Sequence, residues 1–125
     1  MKYAVSIDVP DLDEGIRFYH EAFGFTETAR PFESYAVLRN GDAEIGILAK
    51  AAGTKPAPGA DDLRRYERHW TPVHIDFYVA DFDAALESAV KAGALCEQQF
   101  AGGAHPPVAF CSDPFGNGFC LIGGK

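Results

Sequence analysis

The chain has 125 residues, 47% of them hydrophobic, enough for one compact domain or two small fused halves around a packed core. Its formal charge of −7 argues against a nucleic-acid or anionic-membrane surface, which would need a basic patch. No apolar run approaches the ~18 residues of a membrane span, and acidic residues interrupt the N-terminus too early for a secretory signal.

The first segment, Tyr3 to Val9, alternates as a strand does. Asp11 follows as a candidate helix cap, with Glu14 three residues on as in a capping box. Leu12, Ile16, Tyr19 and Phe23 then fall on one helical face, and Gly24 is a natural stop. Three short strands are expected next, around "TETARP", "YAVLR" and "AEIGILA". "NGD" separates the last two as a hairpin turn.

Residues 51–70 begin with a Pro/Gly-rich linker and end in "ADDLRRYERHW", which has the composition of a short helix with a solvated charged face. Beyond it the order repeats. A strand is expected from Val73 to Val79. Asp81 caps a helix that buries Phe82, Leu86 and Ala89 and stops at Gly93. Strands "LCEQQF", "PVAFCS" and "GFCLIG" follow, the last two flanking the turn-rich "DPFGNG".

The repetition is visible in the residues themselves. "KYAVSIDVPDLD" at 2–13 returns as "PVHIDFYVADFD" at 72–83, with His74 in the place of Ala4. Each half therefore reads β-α-β-β-β, and neither alone would bury much apolar surface. The period-2 alternation puts Val5, Ile7 and Val9, and later Val73, Ile75, Phe77 and Val79, toward the helices. Ala4, Ser6 and Asp8, and later His74, Asp76 and Tyr78, face the other way. Two such sheets can join into a curved cup with helices outside.

These segments resemble the vicinal oxygen chelate superfamily, which includes glyoxalase I, extradiol dioxygenases, and fosfomycin- and bleomycin-resistance proteins. The resemblance rests on "VSIDVPDLDEGIRFYHEAFGF", "VHIDFYVADFDAALESAVKAGA" and the hairpin "DPFGNGFCLI", and spans nearly everything except residues 51–70. It implies an α+β fold of two βαβββ modules forming a cup-shaped mixed sheet. Residues 1–125 would be one domain, with module one at 1–50, a linker at 51–70 and module two at 71–125.

Enzymes of this superfamily hold a divalent metal with ligands from the first and last strands of each module. Residue by residue, the four positions fall on Ala4, near Gly46, on His74 and on Cys120. Only His74 is a standard ligand. Glu44 lies two residues before Gly46 on the same strand face and could substitute, and a thiolate at Cys120 could join; a divalent ion such as Zn, Fe, Ni or Mn would then be the cofactor. The alternative is that no cofactor is bound and His74 lines a pocket, hydrogen-bonding Asp76, a water or a ligand.

Two functions follow. The first is metal-independent binding of a small molecule, as in the bleomycin-resistance branch, with Ser6, Asp8, His74, Asp76, Tyr78 and Cys120 lining the cup. The second is a metal-dependent glyoxalase-like lyase or isomerase, or a dioxygenase, with a remodelled site. Trp70 and Tyr66, at the end of the linker, could stack a flat ligand or seal a junction. Three cysteines outside any CxxC pattern fit a reduced, cytoplasmic protein. Cys111 and Cys120 lie across one hairpin, where a disulfide is geometrically open but unfavoured in that compartment. A homodimer is expected by analogy, with a small-molecule ligand and no nucleic-acid or membrane partner.

Overall fold

The first helix, α1 (Leu12–Phe23), starts and stops where its end residues dictate. Asp11 is extended and its carboxylate accepts from the Glu14 amide at 3.0 Å. Gly24 ends the helix at φ 74, a left-handed conformation that costs glycine little. The second helix, α2 (Phe82–Ala92), is capped in the same way by Asp81, which accepts from Ala84, and stops at Gly93.

The computed structural model describes residues 1–124. Around α1 stand β1 (Ser6–Val9), β2 (Thr26–Phe32), β3 (Tyr35–Asn40) and β4 (Ala43–Ala49), hydrogen-bonded in the order β1-β4-β3-β2. Around α2 stand β5 (Ile75–Val79), β6 (Leu95–Phe100), β7 (Val108–Ser112) and β8 (Gly118–Gly123), in the order β5-β8-β7-β6. In each sheet the first strand runs parallel to the last and the remaining pairs are antiparallel. This is the α+β class with two βαβββ modules. The chain forms two compact units, one of residues 1–20 and 24–66, the other of residues 21–23 and those from Glu67 onward.

The first unit packs Ile7 and Val9 of β1 with Phe18 and Tyr19 of α1 and Ile47 of β4, all buried. Gly15 lets the helix approach closely, since a Cβ there would come within 2.7 Å of Ile47. That close approach centres the buried stripe on Leu12, Gly15, Phe18 and Tyr19, and leaves Ile16 and Phe23 partly exposed rather than central. Phe23 instead belongs to the second unit, where its ring stacks on Phe77 at 4.3 Å and meets Phe119 edge-on at 5.4 Å.

Three expectations change. The strands β1 and β5 are shorter than the alternation suggests, beginning at Ser6 and Ile75, and Val73 is 77% exposed instead of facing a helix. Residues 60–70 form no helix. Their charges are mostly solvated, with Asp61, Asp62, Arg65 and Glu67 exposed, but Arg64 is drawn onto the first sheet, with Nε donating to Asp8 at 2.7 Å and Nη1 to the Lys55 carbonyl at 2.8 Å. Its backbone pairs with Gly53 and Thr54, and the Tyr66 hydroxyl donates to the Lys50 carbonyl at 2.6 Å. These long-range bonds satisfy groups that a local helix would otherwise have used.

Candidate functional site

The two sheets treat matching positions differently. In the first, β1 and β4 pair Ser6 with Gly46, and β3 brings Val37 alongside. A Cβ on Gly46 would overlap the Tyr35 hydroxyl and ring, so Tyr35 of β3 covers this position. Its hydroxyl lies 3.4 Å from the Ser6 hydroxyl. Asp8, the next residue on that row, is held by Arg64. Glu44 is engaged by Arg39, its cross-strand partner.

In the second sheet the equivalent row runs Asp76, Cys120, Phe110 and Gln98. His74, just before β5, donates from Nε2 to Asp76 Oδ1 at 3.0 Å when that nitrogen carries the proton. The ligand atoms of His74, Asp76 and Cys120 lie within 4.8 Å of one another. Burial, with the Asp76 carboxylate beside it, pushes the Cys120 thiol up to about 11. Cys120 therefore stays protonated near neutral pH, which disfavours a nucleophilic role.

A cavity of about 410 Å³ opens over this row. His74, Cys120, Trp70, Phe110 and Phe119 line it, with the Arg68–Glu97 pair at its wall. Arg68 donates to both Glu97 oxygens, at 2.7 and 3.1 Å, and also to the His69 carbonyl. The two-bond pairing with Glu97 raises the Arg68 pKa further. The guanidinium lies against β8 at Gly118, where a Cβ would come within 2.9 Å of it. Trp70, 81% exposed, and Phe110, 40% exposed, offer apolar faces beside these polar groups. The loop between β7 and β8 is fixed by buried Asp113, whose carboxylate accepts from the amides of Phe115 and Asn117 at 2.9 Å.

The structure thus brings together His74, Asp76 and Cys120 among the expected site residues. Ser6 and Asp8 belong to the first sheet and are engaged there by Tyr35 and Arg64. Tyr78 is 61% exposed, two residues further along β5 than Asp76.

A model of the glyoxalase-like domain matches residues 4–122. The chain belongs to this family. It is therefore a member of the vicinal oxygen chelate superfamily that its residues resemble. No curated protein matches it. Among solved structures it is similar to a glyoxalase/bleomycin resistance protein/dioxygenase family enzyme from Burkholderia phytofirmans, at 21% identity and TM-score 0.68, covering 96% of this chain and 95% of that one. It is also similar to the fosfomycin resistance protein FosX from Mesorhizobium loti, at 19% identity and TM-score 0.73, over 100% and 92%. A FosX variant from Listeria monocytogenes, solved with Mn(II) and a dihydroxypropylphosphonic acid, has 17% identity and TM-score 0.72, over 98% and 88%. At these identities the likeness is one of fold.

A fold neighbour, FosX, was solved with Mn(II), so the donor set here matters. A four-ligand site does not fit this chain. Ala4 has no donor, Gly46 has none and is covered by Tyr35, and the thiol at Cys120 replaces a carboxylate. What remains is the three-donor group of His74, Asp76 and Cys120.

Arg68, Glu97, Gln98 and Phe110 were not expected at the site. One local signal does mark the place: glycines inside strands, Gly46 and Gly118, each lie under a large side chain from elsewhere.

Proposed function

We propose that this glyoxalase-like chain binds a small, flat organic molecule in the cavity of its second sheet without a metal of the superfamily type. One contrast carries the reading. At matching register, the first sheet is covered by Tyr35 over Gly46, whereas the second leaves Cys120 beside a cavity with apolar and polar walls. Concave sites with a few convergent polar groups among aromatic faces suit small ligands. In this reading Trp70 and Phe110 stack the ligand, His74 and Cys120 touch its polar edge, and Asp76 orients the imidazole. The chain is taken to work as a homodimer, by superfamily habit, and in the cytoplasm, a compartment that its unpaired cysteines fit.

A second reading, a metal-dependent lyase, isomerase or dioxygenase, is supported by the convergence of His74, Asp76 and Cys120 within 4.8 Å. Metal analysis after reconstitution with zinc, manganese, iron and nickel separates the two. Binding without metal predicts no stoichiometric ion and no gain in melting temperature on adding one. It also predicts that planar aromatic compounds raise the melting temperature, because they bind only the native state. Stoichiometric metal that is lost in His74→Ala would overturn the proposal in favour of the second reading.

A further inference from the structure

Cys96 of β6 and Cys111 of β7 stand directly opposite each other in their antiparallel ladder. Both are free thiols; Cys111 is 1% exposed and Cys96 is half-buried. The Cys96 thiol donates to the Gln98 carbonyl at 3.8 Å. Directly opposed residues in such a ladder have Cα atoms about 4.5–5.5 Å apart, inside the range of about 4.4–6.8 Å that a disulfide spans. The register shifts just after Cys96, so β6 has an irregularity there that can absorb a small adjustment.

We propose that Cys96 and Cys111 form a reversible dithiol–disulfide modification site whose oxidation reshapes the wall of the adjoining cavity. The coupling follows from position. Glu97 sits at the irregularity immediately after Cys96 and holds Arg68 through two hydrogen bonds. Arg68, Glu97, Gln98 and Cys111 all line the cavity. Drawing the Cys96 sulfur into a bond with Cys111 shifts the backbone that presents the Glu97 carboxylate, and with it the guanidinium lying against Gly118. The site stands whatever molecule the cavity holds.

With hydrogen peroxide as oxidant the step balances. The Cys96 thiolate attacks one peroxide oxygen, giving a sulfenic acid and releasing hydroxide, which takes up a proton to become water. Cys111 then attacks the Cys96 sulfur, forming the S–S bond and expelling a second water once its own proton is transferred. Two thiols lose two protons and two electrons, and the peroxide gains both. Burial and the neighbouring Cys96 push the Cys111 thiol up to about 12. This assigns first attack to Cys96, the more accessible sulfur, and resolution to Cys111.

The test treats the full chain with hydrogen peroxide and follows thiol titre, intact mass and the emission of Trp70, the only tryptophan. The expected result is a fall from three free thiols to one, an intramolecular loss of two hydrogens in mass, and peptides joined through Cys96 and Cys111. Trp70 emission should shift, and dithiothreitol should restore every reading. Cys96→Ser, at a half-buried position, should block all of these, and Cys120→Ser none of them. Three thiols still titrating, a linkage through Cys120, or a link between two chains would overturn the site. A Cys96–Cys111 bond with unchanged Trp70 emission would overturn its coupling to the cavity.

Discussion

Gly46→Ala isolates the contact that closes the first sheet. Gly46 is buried in β4 and its backbone is not left-handed, so alanine meets no conformational penalty there. By itself, glycine in a strand interior is worth about 0.5–1 kcal/mol less than alanine. Against this gain stands the overlap of the new methyl with the Tyr35 hydroxyl and ring. Inserting one carbon into a filled site costs about 1–3 kcal/mol. Tyr35 is only partly buried and its 3.4 Å contact with Ser6 is weak, which places the cost toward the lower end. Set against a gain of about 0.5 kcal/mol, the net expectation is destabilisation by about 0.5 kcal/mol, or about 2 °C in melting temperature. In a Tyr35→Ala background the overlap is gone, and the same Gly46→Ala change should stabilise by about 0.5 kcal/mol. Urea unfolding of the four proteins measures both numbers. Gly46→Ala that stabilises equally in both backgrounds would show that Tyr35 does not cover this position, and the contrast behind the proposed function would fail.

Two other changes test the surroundings of the site. Cys120, raised from 9.0 to about 11, should be alkylated by iodoacetamide at pH 8 about a hundredfold more slowly than an unperturbed thiol. Asp76→Asn should speed that reaction without restoring it fully, because burial is the larger cause; peptide-resolved alkylation rates that do not change would contradict the assignment. Because the folded state keeps this proton where the unfolded chain releases it, Cys120 contributes stability that is complete below about pH 9. That stability is lost as pH rises through about 11. Arg64→Ala should cost about 2 kcal/mol, since Arg64 is only 14% exposed and its loss removes a charged partner from a half-buried carboxylate. It should also expose residues 51–63 to protease, and an unchanged urea midpoint would show that the Arg64 bonds do not hold that segment.

The fold was legible because its signals are local and repeated. Asp11 and Gly24, then Asp81 and Gly93, mark both helices: each Asp accepts from an amide and each Gly donates to a carbonyl only a few residues away. The order of strands follows from short alternating runs between turn formers. The 60–70 segment was misread because its fate is decided at long range: Arg64 reaches Asp8, 56 residues away, and Arg68 reaches Glu97, 29 residues away. No window of local composition contains such partners. The site was legible in part for a related reason. Period-2 alternation places His74 and Asp76 on one row, and the superfamily resemblance points to Cys120, but alternation does not reveal which opposing side chain lies over a glycine. Nor does it reveal the irregularity that turns Glu97 toward Arg68.

The repeat then shows how one architecture can serve two ends. Offset by 70 residues, Ala4, Ser6 and Asp8 correspond to His74, Asp76 and Tyr78. In the first copy the polar groups of this row are engaged by neighbours, Ser6 by Tyr35 and Asp8 by Arg64. In the second, His74, Asp76 and Cys120 engage one another at the edge of a cavity, with Trp70 and Phe110 exposed nearby. Burying an aromatic face of about 150 Å² against a ligand is worth about 4 kcal/mol at about 25 cal/mol per Å². Before any cost of association, that corresponds to a Kd of about 1 mM. Aromatic stacking alone therefore cannot give tight binding in this cavity. Affinity much beyond that level has to come from hydrogen bonds to the imidazole, the Asp76 carboxylate or the Arg68–Glu97 pair. These are the groups that distinguish the second copy from the first.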